Sequence, residues 1–411
     1  MKKMTSQLLL KSLLTCLVMG NFGQAIAGDS EWDLSGNITF QTRSFFQDAL
    51  WPEQNTSDAE LSISGEWEVR WRSEEGDQRA SFIPFARWDE NDDERNHIDL
   101  REAYWAYEGL SYKDTEMELL IGINKVFWGV TESVHLVDII NQTDLVEDID
   151  EENKLGQPMV NLAVQKDWGF INLYLLPYFR ERTFPGVDGR FRGPLPIDWD
   201  DADYESGAKD KHVDMALRYS HYFGDVDVGL YYFHGTSREP RLLLADNGRE
   251  FKPFYDQIDQ VGLDLQYTRD AWLWKLEAIV RDGYDESFMA SVAGFEYTFY
   301  QVKETDADIG ILFEYQHDER SSKEPLTTAD NDYFMAARWT LNDAQDTAVL
   351  AGVVVDKKTS ETFFNVEAER RFGDNIFVEL RLRAITNSEQ DEPLYSFSRD
   401  DYFQLQISRY F

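Results

Sequence analysis

Apolar and polar positions alternate along most of the chain. Leu61, Ile63, Trp67, Val69 and Trp71 interleave with Glu60, Ser62, Ser64, Glu66, Glu68, Arg70 and Arg72. Ile309, Ile311, Phe313 and Tyr315 interleave with Asp308, Gly310, Glu314 and Gln316. Phe364, Val366 and Ala368 do so with Asn365, Glu367, Glu369 and Arg371, and Ile376, Val378, Leu380, Leu382 and Ala384 with Phe377, Glu379, Arg381 and Arg383. Period two puts one set on each face of a β-strand, so each stretch presents one apolar, aromatic face and one charged face. Such stretches run to about ten residues or more, beyond the ~5–6 usual in soluble sheets. They match the ~9–11 tilted residues with which a strand crosses hydrocarbon.

The alternation predicts strands near 31–46, 57–72, 78–88, 97–108, 115–128, 157–167, 169–179, 211–223, 225–235, 256–269, 271–282, 286–300, 306–319, 330–341, 346–356, 360–372, 375–385 and 399–411. The links after the even-numbered strands are tight: 73–77, 109–114, 168, 224, 270, 301–305, 342–345 and 373–374. Several of the others are long, notably 129–156, 180–210 and 236–255. Tight turns on one rim and long loops on the other predict an all-β, transmembrane antiparallel up-and-down β-barrel of about 18 strands (16–18), with both termini on the short-turn, periplasmic side. After residue 27 there is no apolar run that could span a bilayer as a helix. Backbone groups in lipid must all be paired, which leaves a closed barrel.

Composition sharpens this picture. The 411 residues hold 40 Lys+Arg against 77 Asp+Glu, a formal charge of −37, yet 12 Trp, 20 Tyr and 27 Phe. A nucleic-acid binder needs clustered positive charge and is excluded. Disorder is excluded by the aromatic content, and a disulfide or Cys–metal scaffold by Cys16 standing alone. At the N-terminus, Lys2 and Lys3 precede apolar stretches at 8–10 and 13–19 interrupted by Lys11, and Ala25-Ile26-Ala27 is an A-x-A cleavage signal. Residues 1–27 read as a secretory signal peptide cleaved before Gly28. A transmembrane anchor is the other reading, but the run falls short of ~20 residues. Without the leader's three lysines the charge becomes 37 − 77, or −40. Residues 28–411 read as a single barrel domain.

Phe403, Leu405 and Ile407 alternate up to a C-terminal Phe411, beside Tyr402 and Tyr410. This resembles the signal of Gram-negative outer-membrane β-barrels that the barrel-assembly machinery reads, although Arg409 departs from the usual aromatic or apolar residue. The whole mature chain looks like a porin-type barrel. In addition, Arg101-Glu102-Ala103-Tyr104, Trp128-Gly129 and Lys154-Leu155-Gly156-Gln157-Pro158 are similar to a group of uncharacterised porin-like outer-membrane proteins, over about a third of the chain. The resemblance implies the outer membrane as location. It implies lipid and lipopolysaccharide as surroundings, the assembly machinery as a partner through Phe411, and small hydrophilic solutes as cargo.

Barrels of ~16–18 strands leave an aqueous channel, which the charged faces would line. In the hairpin 360–385 a three-residue turn at Gly373-Asp374-Asn375 pairs Phe372 with Ile376. It sets Glu367 opposite Arg381 and Glu369 opposite Glu379, with Arg371 and Arg381 diagonal to the glutamates. The candidate pore-lining residues are therefore Glu66, Glu68, Arg70, Arg72, Glu367, Glu369, Arg371, Glu379, Arg381 and Arg383; a solubilising ladder without a role in selectivity is the plainer reading. Segment 129–156 carries Val134, Leu136, Val137, Ile139 and Ile140, apolar residues that an inward-folded loop would need. Such a constriction loop would bring Glu132, Asp138 and Asp144 into the lumen, with the 147–152 acid run nearer the mouth. A short helix or hairpin over the rim is the alternative.

Acid clusters at 89–94 and at Asp198, Asp200, Asp201 and Asp203 lack the glycine an EF-hand needs at its sixth position, where Asp203 stands in the second cluster, and read as solvated loops. There is no G-x-S-x-G and no H-E-x-x-H, so neither enzyme activity, metal nor cofactor is expected. The expected function is an outer-membrane channel for diffusion of small hydrophilic solutes, cation-preferring because of the acidic balance. The alternative is a non-conducting surface barrel that binds a partner or ligand through its long extracellular loops.

Overall fold

The computed structural model describes residues 30–113, 115–390 and 392–411. The signal peptide read over 1–27, with Cys16, lies outside the described residues. Eighteen strands form one antiparallel sheet: Glu31–Phe45, Ala59–Arg72, Gln78–Asp89, His97–Tyr112, Thr115–Asn124, Gln157–Lys166, Gly169–Leu176, Asp214–Phe223, Val226–Thr236, Gln257–Arg269, Trp272–Asp282, Phe288–Phe299, Asp308–Asp318, Asp332–Thr340, Ala348–Asp356, Thr362–Phe372, Ile376–Thr386 and Tyr402–Tyr410. Each pairs with its neighbours in the chain. The first also pairs with the last, from Asn37↔Tyr410 to Phe45↔Tyr402, which closes the sheet into a barrel with no free edge. Every stretch of alternation forms a strand. The hairpin pairs Glu367 with Arg381, Glu369 with Glu379 and Phe372 with Ile376, the register its turn predicts.

At the short-turn rim the strand expected over 97–108 runs on to Tyr112; two departures at the long-loop rim shape the interior. The strand expected over 115–128 stops at Asn124, and that over 169–179 at Leu176. Beyond those points the chain leaves the wall and bonds inward: Val126 N–H donates to Asn141 Oδ1, and the Trp128 ring is buried against Tyr174 and Tyr231.

The outer face is apolar. Leu230, Trp274, Leu380, Leu382, Phe403 and Ile407 are all exposed on it. Aromatic residues gather where the strands meet the short turns: Trp32 with Trp71, Trp168 with Tyr219, Trp272 with Tyr297, and Phe372 near the end of its strand. Such rings suit a membrane–water boundary, apolar in body and polar at the tip. A closed barrel with an apolar outer band is the transmembrane form in which all ladder bonds are satisfied.

One irregularity serves the interior. Pro84 has no N–H to give the ladder, and the pairing between Gln78–Asp89 and His97–Tyr112 slips there, from Ile83↔Glu102 to Pro84↔Leu100. Arg101 is the extra residue of this bulge. Inward parity changes from Glu102 and Tyr104 on one side to Asp99 and His97 on the other, and Arg101 is freed to turn inward as well. The long links 177–213 and 237–256 contribute a small separate sheet of Asp203–Tyr204, Arg241–Leu244 and Phe251–Tyr255.

Candidate functional site

The segment between Asn124 and Gln157 runs inside the barrel. Its apolar residues Val137, Ile139 and Ile140 are fully or almost fully buried, and they share a core with Leu176, Phe233, Ile258, Ile279, Phe288 and Ala290 from the wall. A core on the inner surface of a barrel needs residues from both partners. The alternating inward positions of Gly169–Leu176, Val226–Thr236 and Trp272–Asp282 supply apolar side chains where the segment lies.

The start of the segment is held by two wall carboxylates. Glu277 Oε1 accepts from Val130 N (2.7 Å), Thr131 N (3.0 Å) and Thr131 Oγ1 (2.7 Å), and Oε2 from Val137 N (3.2 Å). Glu314 accepts from Glu132 N, Ser133 N and Ser133 Oγ at 2.6–2.9 Å. These amides are not spent in a ladder, and a buried N–H without an acceptor is costly, so the glutamates do what a neighbouring strand would have done.

The end of the segment is held with the charges reversed. Asp144, 0% exposed, takes a 2.6 Å bond from Arg101 and another from Thr183 Oγ1. Glu147 is gripped by Arg87 through three bonds of 2.7–3.0 Å. Asp148 receives Arg381 and Arg383 at 2.5 and 2.6 Å, with Arg43 at 3.8 Å, and Asp150 receives Arg383 at 2.8 Å. Burial by itself would push the carboxyls of Glu147 and Asp148 up. Arg87, His97, Arg101 and Arg95 instead hold Glu147 well below the usual carboxylate range, and Arg383, Arg381 and Arg43 do the same for Asp148. Asp138 differs. Burial raises it to about 6, because Lys154 at 3.6 Å and the Trp128 amide offset only part of that cost.

The short sequence matches that lie far apart in the chain meet at the root of this segment. Arg101 bonds Asp144, Trp128 enters the core, and Leu155 N–H donates to Gln142 O. Gly156 passes so close to the Arg101 carbonyl that an added Cβ would stand 2.2 Å from its oxygen. Gly129, at φ +154°, lies where a Cβ would come 3.1 Å from Glu277 Oε1. Both positions suit only glycine.

Of the three acids named for a constriction, Asp138 and Asp144 lie beneath the segment, their side chains 1% and 0% exposed and paired with Lys154 and Arg101. Glu132 stays partly exposed and pairs with Arg338 and, at 3.7 Å, with Lys275. On the wall, Glu66, Glu68, Arg70, Arg72, Glu367, Glu369, Arg371, Glu379 and Arg381 keep some exposure, whereas Arg383 is buried under Asp148 and Asp150. Arg381 bridges Glu367 at 2.9 Å and Glu379 at 3.4 Å, and Arg70 pairs with Glu68 at 2.8 Å. Arg371 turns to Asp346 in the nearby short link, at 3.3 Å. Tyr174, on the inward face of its strand, is buried against Trp128. Glu277 and Glu314 escaped the sequence reading. Their signal is an isolated acid at mid-strand on the inward face, but its partners are backbone amides that no pattern announces.

No protein-family model matches the chain, and no curated protein does. Among solved structures, OpdO of Pseudomonas aeruginosa superposes with a TM-score of 0.52 at 10% sequence identity, covering 93% of this chain and 96% of that one. A BenF-like porin from Pseudomonas fluorescens Pf-5 gives a TM-score of 0.52 at 9% identity, covering 93% and 98%. The likeness is one of fold: the chain is a porin-type β-barrel of eighteen strands.

Proposed function

We propose that the barrel is an outer-membrane channel for passive diffusion of small hydrophilic solutes, with its termini and short turns on the periplasmic side. The observation that carries this reading is the uneven filling of the interior. The segment 125–156 builds an apolar core against one part of the wall, while Glu66, Glu68, Arg70, Arg72, Glu367, Glu369, Arg371, Glu379 and Arg381 remain partly exposed elsewhere. A wall with exposed charge of both signs favours water, and a segment packed inside the barrel narrows the path beside it. Glu132, at the edge of the segment, faces that path with partial exposure. Asp138, Asp144 and Arg383 act as its anchors.

Cation preference is the finer part of the proposal. The exposed wall set holds five carboxylates against four guanidinium groups, and Arg381 is further neutralised by Asp148. The test is planar-bilayer recording of the refolded full-length barrel. Step conductance with a reversal potential of cationic sign in a salt gradient is the expected result. An anionic reversal would defeat the preference. Absence of steps would defeat the channel and leave a surface barrel that binds through its loops.

A further inference from the structure

At the long-loop rim, two aspartates not discussed so far are paired directly across the sheet. Asp332 opens its strand and Asp356 closes the next, and they stand opposite one another in register. Both share the inward parity of Phe334, Ala336, Leu350 and Val354, which cluster on the inner surface. Like charges in such a pair repel, and here both are buried, Asp332 at 3% exposure and Asp356 at 8%. Asp330 adds a third carboxylate, and one oxygen from each of the three lies within 4.8 Å of the others.

The protein's own groups answer this charge only in part. Asp356 Oδ1 accepts from the Lys358 and Thr359 amides and from Thr359 Oγ1. Lys358, largely exposed, pairs with Asp330. Arg320, which borders the same space, is already bonded to Asp318 and Glu239. Asp332 Oδ2 is buried without a hydrogen-bond partner. The three aspartates line a cavity of about 170 Å³ whose wall also includes Glu361 and Glu392.

We propose that this cavity binds a divalent cation of the calcium type. The donors are all carboxylate oxygens, which suit a hard ion and offer nothing to a soft one. Two oxygens that each sit 2.3–2.6 Å from one calcium are at most about 5.2 Å apart, a limit the observed spacing meets. An ion there would give Asp332 Oδ2 its missing partner and cancel the repulsion across the pair. It would also join three links of the mouth, those at 319–331, 357–361 and 387–401, through Asp330, Glu361 and Glu392. This is a separate matter from conduction, because the site lies at the rim and the charged wall residues are elsewhere.

Terbium luminescence of the full-length barrel in detergent tests it. The Tyr315 hydroxyl bonds Asn331, between two of the aspartates, and so places a sensitising ring nearby. The expected result is a saturable terbium signal that calcium displaces, with a midpoint of about 10⁻⁴–10⁻³ M, the range of extracellular calcium modules. Asp332→Asn and Asp356→Asn should each weaken binding at least about tenfold, while Asp200→Asn in the other acid cluster leaves it unchanged. The heat-modifiable migration of the barrel on gels reports folding for each variant, and the two rim variants check one another should either fail to fold. No saturable signal in the parent, or parent-like affinity in the folded Asp332 or Asp356 variant, would overturn the proposal.

Discussion

Residues 130–138 and 144–150 belong to one internal segment and press on the same barrel, but the wall holds them by opposite means. In the first stretch the wall contributes carboxylates, Glu277 and Glu314, and the segment contributes mostly backbone N–H groups. In the second the segment contributes the carboxylates, Asp144, Glu147, Asp148 and Asp150, and the wall contributes Arg101, Arg87, Arg381 and Arg383. A grip on backbone amides tolerates side-chain change within the segment and is lost through the wall residue. A grip between ionised side chains can be broken from either side. The first stretch is thus fixed by shape, the second by charge.

Asp148→Ala is the harshest way to break the second grip. It leaves the buried Arg43 and Arg383 and the partly exposed Arg381 with one carboxylate fewer, and removal of one partner from a buried ion pair costs about 3–5 kcal/mol. Hydrogen exchange should speed up sharply over 144–152 and hardly at all over 130–138. Equal loosening of both stretches would erase the distinction. Glu277→Ala is the converse change. It strips the acceptor from the Val130, Thr131 and Val137 amides, with an expected cost of about 2–3 kcal/mol read as lost protection over 130–138, whereas Thr131→Val, which removes one hydroxyl, costs about 1 kcal/mol.

Acidity separates the two stretches without mutation. Asp138 has its carboxyl raised to about 6 by burial, so the stability tied to its neutral form is complete below about pH 4 and is lost as pH rises through about 6. Glu147 and Asp148 are held low by their arginines despite burial, so their contribution is complete above about pH 4 and drains away as pH falls further. Protection factors over 130–138 should rise between pH 7.5 and pH 5 while those over 144–150 stay level. Below about pH 4 the second stretch should loosen first. The mildest probe is Glu132→Gln at the partly exposed edge. It should change stability by no more than about 0.5 kcal/mol and move the reversal potential away from cation preference; an unchanged potential would place the selective charge elsewhere.

The barrel wall was legible in the sequence because lipid on one side and water on the other impose period two on every strand. The Gly373-Asp374-Asn375 turn then fixes register through Glu367↔Arg381. The apolar run from Val134 to Ile140 marked a segment that needed something to pack against. Its partners were hidden because barrel closure alone decides them: Asp148 meets Arg383 across 235 positions of chain. The same holds at the rim, where Asp332 and Asp356 look like ordinary loop-edge acids until strand register sets them face to face. Burial also reversed a role. Asp144, proposed as a charge facing the lumen, is wholly enclosed against Arg101, and the bulge at Pro84 that turns this arginine inward leaves no mark in hydrophobic periodicity.

The junction between the first and last strands has a consequence for how the molecule is made. Asn37–Phe45 must find Tyr402–Tyr410 across nearly the whole chain, the contact with the greatest loop-closure entropy and the last that a sequentially built sheet can form. Asp148 reaches Arg43 on the first strand and Arg383 on the one before the last, so it clasps both sides of that junction from within. The internal segment thus ties together the two ends of the wall that closure joins. Opening the cylinder at this junction with the segment in place means parting Asp148 from Arg43 or from Arg383, so the seam is locked from the lumen as well as by its ladder.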